Sequence, residues 1–99
     1  MTPIQDIMHR LETASNPVAQ AIHKGDHFKV LAIGFKKGMV MKDHKAALPA
    51  KLTVLSGSVL YKMEGFETVL LRFDEQLIPI EKIHSVEALE DSLCLLTQG

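Results

Sequence analysis

The sequence predicts an all-β domain, an antiparallel barrel or sandwich of short strands behind a short N-terminal arm. Three observations predict it. Turn signals recur from Val18 onward, at Gly25-Asp26, Lys37-Gly38, Ser56-Gly57, Glu64-Gly65, Asp74-Glu75 and Glu90-Asp91. The pieces between them are strand-length and rich in β-branched or apolar residues. Helical spacing of apolar residues is confined to the first sixteen positions.

In that arm, Ile4, Ile7, Met8 and Leu11 recur along PIQDIMHRLE, with Pro3 placed for a first turn and Asn16-Pro17 as a stop. Residues 1–17 read as a short helix or irregular arm and residues 18–99 as the barrel domain. The strand candidates follow in order: VAQAIH, HFKVLAIGF, MVMKDH, AKLTVL, SVLYKM, FETVLLRF, QLIPI, HSVEAL and SLCLLT. Side chains alternate faces along a strand, so parity assigns a core side. Ala50, Leu52 and Val54 share one face, with Lys51 and Thr53 opposite. In FETVLLRF the core set reads as Val69, Leu71 and Phe73, opposed by Thr68, Leu70 and Arg72. In HSVEAL it reads as His84, Val86 and Ala88, which points His84 inward.

Composition removes several function classes. Ninety-nine residues leave no room for a second catalytic domain, and a chain of this size buries roughly 60 to 70% of its unfolded surface. With 46% hydrophobic and 23% charged residues it belongs among folded globular proteins. A formal net charge of -1 provides no basic field for nucleic acid, and no apolar run has the length of a membrane helix. The one cysteine, Cys94, cannot form an internal disulfide and reads as a small buried hydrophobe. The opening MTPIQDIMHRLETASN has no signal-peptide core, so the expected setting is the cytoplasm. No nucleophile–base spacing, phosphate loop or dinucleotide fingerprint is present, and no catalytic residue is assigned.

Two stretches carry a longer pattern. Gly38 is separated from His44 by MVMKD, and Gly57 closes the strand after it; further on, Pro79 stands five positions before His84. On these spacings the chain resembles the small cupins of the conserved-barrel type, over roughly residues 28 to 97. The resemblance implies an antiparallel jelly-roll β-barrel. In the first cupin motif Ala46 stands at a histidine position and Ala50 at a glutamate position. In the second, Phe73 and Glu81 replace glycines and Ala88 an asparagine. The closing HSVEALEDSLCLLT is similar to the last hairpin of such proteins.

The family pattern holds a divalent metal with three imidazoles and a carboxylate. Here it implies that His44 and His84 are the surviving ligands, weak metal candidates only, and no resident cofactor is expected. The implied pocket consists of His44, His84, Met41, Leu52, Val54, Met63 and Val86, with Met39, Met41 and Met63 flanking the mouth. Lys42 shares strand parity with His44, while His9, His23 and His27 read as solvent-facing.

Three functions follow as alternatives: a module binding a small molecule without a tightly held metal, a metal-dependent oxygenase or isomerase using His44 and His84, or a non-catalytic scaffold. A homodimer is expected, because HFKVLAIGF is apolar on both faces and a small barrel has open edges.

Overall fold

A computed structural model covers residues 1–99 and describes all side chains except those of Asp43 and His44, so the sequence reading of the His44 imidazole lies outside the described residues. Helix α1 spans Pro3–Leu11. Its start is written in the first residues: the Gln5 N–H donates to Thr2 Oγ1 at 3.3 Å and the Thr2 N–H to Gln5 Oε1 at 2.9 Å, a reciprocal cap. Ile7 and Leu11 are buried and Met8 is exposed, so one narrow stripe of the helix meets the protein.

Nine strands follow: β1 (Val18–Lys24), β2 (Lys29–Phe35), β3 (Val40–His44), β4 (Ala50–Ser56), β5 (Val59–Met63), β6 (Phe66–Leu70), β7 (Glu75–Ile78), β8 (His84–Ala88) and β9 (Ser92–Gln98). They form a five-stranded sheet in the order β1-β2-β9-β4-β7 and a four-stranded sheet in the order β3-β8-β5-β6. All strand pairs are antiparallel. This is the antiparallel jelly-roll barrel with one short helix. No helix is long and apolar enough to cross a membrane.

The core lies between the sheets. Ile33, Leu52, Val54 and Cys94 from the larger sheet meet Val59, Tyr61, Val86 and Ala88 from the smaller. Parity explains the membership of β4 and β8, whose alternate residues are buried as their sequences predict. It fails in β6. There Leu70 is buried, whereas Val69, Leu71 and Phe73 are 48, 58 and 67% exposed. The strand also ends at Leu70 rather than running on through Phe73. A run with apolar residues at both parities gives no preference, and Leu71–Asp74 form a turn in which the Phe73 N–H donates to Val54 O at 2.7 Å.

Strand β2 is apolar on both faces for an internal reason. Its inner face joins the core, and its outer face lies beneath α1, where a Cβ on Gly34 would sit 2.9 Å from Ile7 Cγ2. The chain's own helix therefore covers part of the apolar surplus of this strand. Arg10 Nη2 donates to Gln20 Oε1 at 3.0 Å and ties α1 to β1.

The two ends of the barrel differ. One holds the tight turns at Gly38 and Gly57, with φ of 86° and 82°. Ser58 and Ser92 are buried there; the Ser58 N–H donates to Ser92 Oγ at 3.1 Å and Ser58 Oγ to Glu90 Oε2 at 2.6 Å. At the other end, residues 45–49 and 79–83 each cross from one sheet to the other. An isolated bridge between Ala46 and Ile80, with the Glu81 N–H donating to Ala46 O at 2.9 Å, joins these two connectors.

Candidate functional site

The connector end carries the candidate site. Across the end of the smaller sheet, strand register lines up His44, His84, Met63 and Phe66, contributed by β3, β8, β5 and β6 in turn. His84 begins β8 on its inward parity and is 2% exposed. Its Nδ1 lies 3.3 Å from Lys82 O, a contact that orients the ring when Nδ1 carries the proton.

Tyr61 packs beside it, two residues before Met63 on the same face of β5. The Tyr61 and His84 ring centroids are 5.9 Å apart and tilted by 32°, and Phe66 meets Tyr61 edge-on at 6.3 Å. The Tyr61 hydroxyl donates to Met63 Sδ at 3.9 Å, and burial raises its pKa. Sequence reasoning passed over Tyr61, although it shares parity with Met63 in SVLYKM, which was the available signal.

Outside this row lies a cleft of about 610 Å³ lined by Lys45, Met63, Glu64, Glu81, Lys82 and Ile83. A smaller one, about 290 Å³, continues along Lys62, Met63 and Ser85. Two lysines and two glutamates balance the larger cleft, so it offers donors and acceptors without a strong net field.

The structure separates the remaining sequence-assigned pocket residues. Leu52, Val54 and Val86 are fully buried in the packed core and line neither of these clefts. Met41 packs against the core from its rim. Met39 does not share the mouth with Met63, because it pairs with Ala88 at the opposite end of β8 and its Sδ accepts the Lys36 N–H at 3.2 Å. Cys94 is a buried thiol pushed up to about 12 by desolvation, with no nucleophilic character near neutrality. His9, His23 and His27 are exposed.

The metal shell implied by the sequence pattern does not fit the described residues. Ala46 and Ala50 are buried alkyl groups at two of its positions, and among the described residues no three of His, Cys, Asp and Glu gather closely enough to hold an ion. The backbone keeps the frame even where side chains depart from it. Phe73 and Glu81, standing at the two glycine positions of the second motif, have φ of 72° and 63°.

No family model and no curated protein sequence matches the chain. Solved structures do. An RmlC-like cupin from Desulfovibrio desulfuricans is similar at 25% identity and a TM-score of 0.76, over 83% of this chain and 80% of that one. A cupin superfamily protein from Desulfitobacterium hafniense matches at 15% identity and a TM-score of 0.79, over 85% and 77%. A cupin 2 conserved barrel domain protein from Leptotrichia buccalis matches at 24% identity and 0.78, over 87% of this chain and 42% of that one. Nine strands in two facing sheets, the left-handed turns of both motifs and these likenesses together make the chain a small cupin-fold domain.

Proposed function

We propose that the chain binds a small organic molecule at the connector end of the barrel, without a tightly held metal. The observation that carries this reading is the buried His84 imidazole packed on Tyr61 and paired in register with Met63, which lines the open cleft. The cleft joins two apolar side chains, Met63 and Ile83, to four charged ones, and its volume of about 610 Å³ falls within the usual size range of a ligand site. The thioether of Met63 adapts to ligand shape, while Lys45, Lys82, Glu64 and Glu81 supply polar contacts at the rim. The two buried alanines support the metal-free form of the reading, since neither can donate an electron pair.

The test is a fragment screen read by thermal melting, with hits mapped by amide shifts in isotope-labelled protein. Supporting hits move Met63, Ile83 and His84 and weaken in Tyr61→Phe or Met63→Ala. Hits that never reach this end of the barrel, or a stoichiometric transition metal in untagged protein, would overturn the proposal.

A further inference from the structure

The open edges of the two sheets are not alike. Strand order leaves β1 and β7 at the margins of the larger sheet and β3 and β6 at those of the smaller. An edge strand presents unpaired N–H and C=O groups to solvent, and bulges, lysines, prolines or shortness ordinarily blunt it. Three of these edges carry such devices. The β1 register is broken between Ala21 and His23 and the strand ends in Lys24; β3 is broken between Met41 and His44 and carries Lys42; β7 has four residues and runs into Pro79. Strand β6 has none of them. Its five residues, FETVL, pair with β5 in unbroken register from Phe66 to Leu70, without lysine, proline or bulge.

The bare edge is also apolar. Phe66 and Val69 are 45 and 48% exposed, on opposite faces of the strand, and exposed Leu71 follows where it ends. Parity fixes which residues a neighbouring strand would meet, because directly opposed residues of an antiparallel pair point to the same side. Turned about a two-fold axis through Thr68, a second β6 pairs along its whole length: Phe66 meets Leu70 of the copy, Glu67 meets Val69 and Thr68 meets Thr68. The central threonine pair is a stabilising one, and each Phe66–Leu70 pair shields apolar surface. No like charges oppose each other. An axis through Glu67 would set two carboxylates face to face, and an axis through Val69 would leave Phe66 and Glu67 outside the paired strand.

We infer that β6 is the docking edge for a second copy of this chain, the two smaller sheets joining through an antiparallel β6–β6 pair centred on Thr68. The edge is self-complementary in this register, which an isologous two-fold contact demands. Five residues a side is far below the roughly twenty of a standard interface, so the pair forms weakly, with Kd on the order of 100 μM. The contact belongs to the smaller sheet and leaves β2 and its covering helix outside it.

Sedimentation equilibrium of the full chain, up to about 1 mM, reads the association, and backbone amide shifts on dilution locate it. Concentration-dependent shifts are expected at Glu67, Thr68 and Val69 and not at Val30 or Leu95. Two substitutions at exposed Val69 test the register, since each leaves the core untouched. Val69→Glu sets a carboxylate opposite Glu67 of the copy, whereas Val69→Lys sets an ammonium there. The dimer should be at least roughly tenfold weaker in Val69→Glu than in Val69→Lys, and added salt should narrow the gap. A monomer at about 1 mM, equal losses in the two variants, or dilution shifts confined to β1 and β2 would overturn the inference. Saturable β6 shifts with an added capped Thr-Val-Thr-Val-Thr peptide, in a chain that stays monomeric, would overturn it in favour of a foreign strand.

Discussion

The Phe73 N–H donates to the Val54 carbonyl at 2.7 Å while Phe73 itself sits at φ 72°, so a backbone hydrogen bond holds a bulky residue in the left-handed region. That conformation costs an L-residue about 1–2 kcal/mol and costs glycine little. At Phe73 and at Glu81, glycine should therefore be more stable than alanine by about 1 kcal/mol, the reverse of the usual order in regular structure. Urea unfolding of Phe73→Gly against Phe73→Ala, and of the same pair at Glu81, measures it. Equal midpoints would show that neither turn is strained.

Gly57 makes the opposite case. With φ at 82° and the Asp91 carbonyl and Ser92 side chain crowding the place of a Cβ, Gly57→Ala should cost about 3 kcal/mol, because relief requires moving backbone. A loss under about 1 kcal/mol in the same unfolding assay would mean that the turn can open.

Ser92→Ala removes a buried hydroxyl that accepts the Ser58 N–H and lies 2.8 Å from Glu90 O as its donor. The expected cost is about 1–3 kcal/mol, since a buried amide loses its acceptor. Ser92→Thr keeps the oxygen and should recover part of it, unless the added methyl meets Gly57.

Alkaline pH should destabilise the fold. Cys94 titrates from near 9 when exposed but from about 12 in the folded chain, so the unfolded state releases its proton first. Its contribution is fully present below pH 9 and is lost as pH rises toward 12, and buried Tyr61 acts in the same direction. Unfolding midpoints measured from pH 8 upward should fall, and the slope should be shallower in Cys94→Ala. Identical slopes would assign the loss to other groups.

Nickel or zinc should bind no tighter than micromolar and should be released below about pH 6, where imidazoles protonate. Calorimetric titration of the untagged chain and of His44→Ala checks this. A tight equivalent lost on that substitution would revive the metal-dependent reading.

The sequence carried the strands and one wall of the site, for identifiable reasons. Ala50, Leu52 and Val54 alternate with polar neighbours, so their face was legible, as was that of His84, Val86 and Ala88. Val69, Leu71 and Phe73 were misplaced because an apolar run beside an open edge carries no parity signal, and a left-handed turn at a phenylalanine has no composition cue. The mouth set by sequence spacing mixed two ends of the barrel: Met39 and Met63 look equivalent by type, and only the register of β8 shows that a full strand separates them. Helix α1 lies over β2 at Gly34, a contact not legible beforehand because local pattern cannot say which apolar surface covers another.

The bridge between Ala46 and Ile80 gives the barrel a buckle. Each connector is anchored in both sheets, so the two cannot move apart without parting that bridge and the Glu81-to-Ala46 bond. The aperture in front of Met63 therefore has, in effect, one adjustable dimension. A bulky residue at Ala46, which is buried in the core, would strain that bridge, and a glycine at Glu81 would loosen the clasp while relieving its turn.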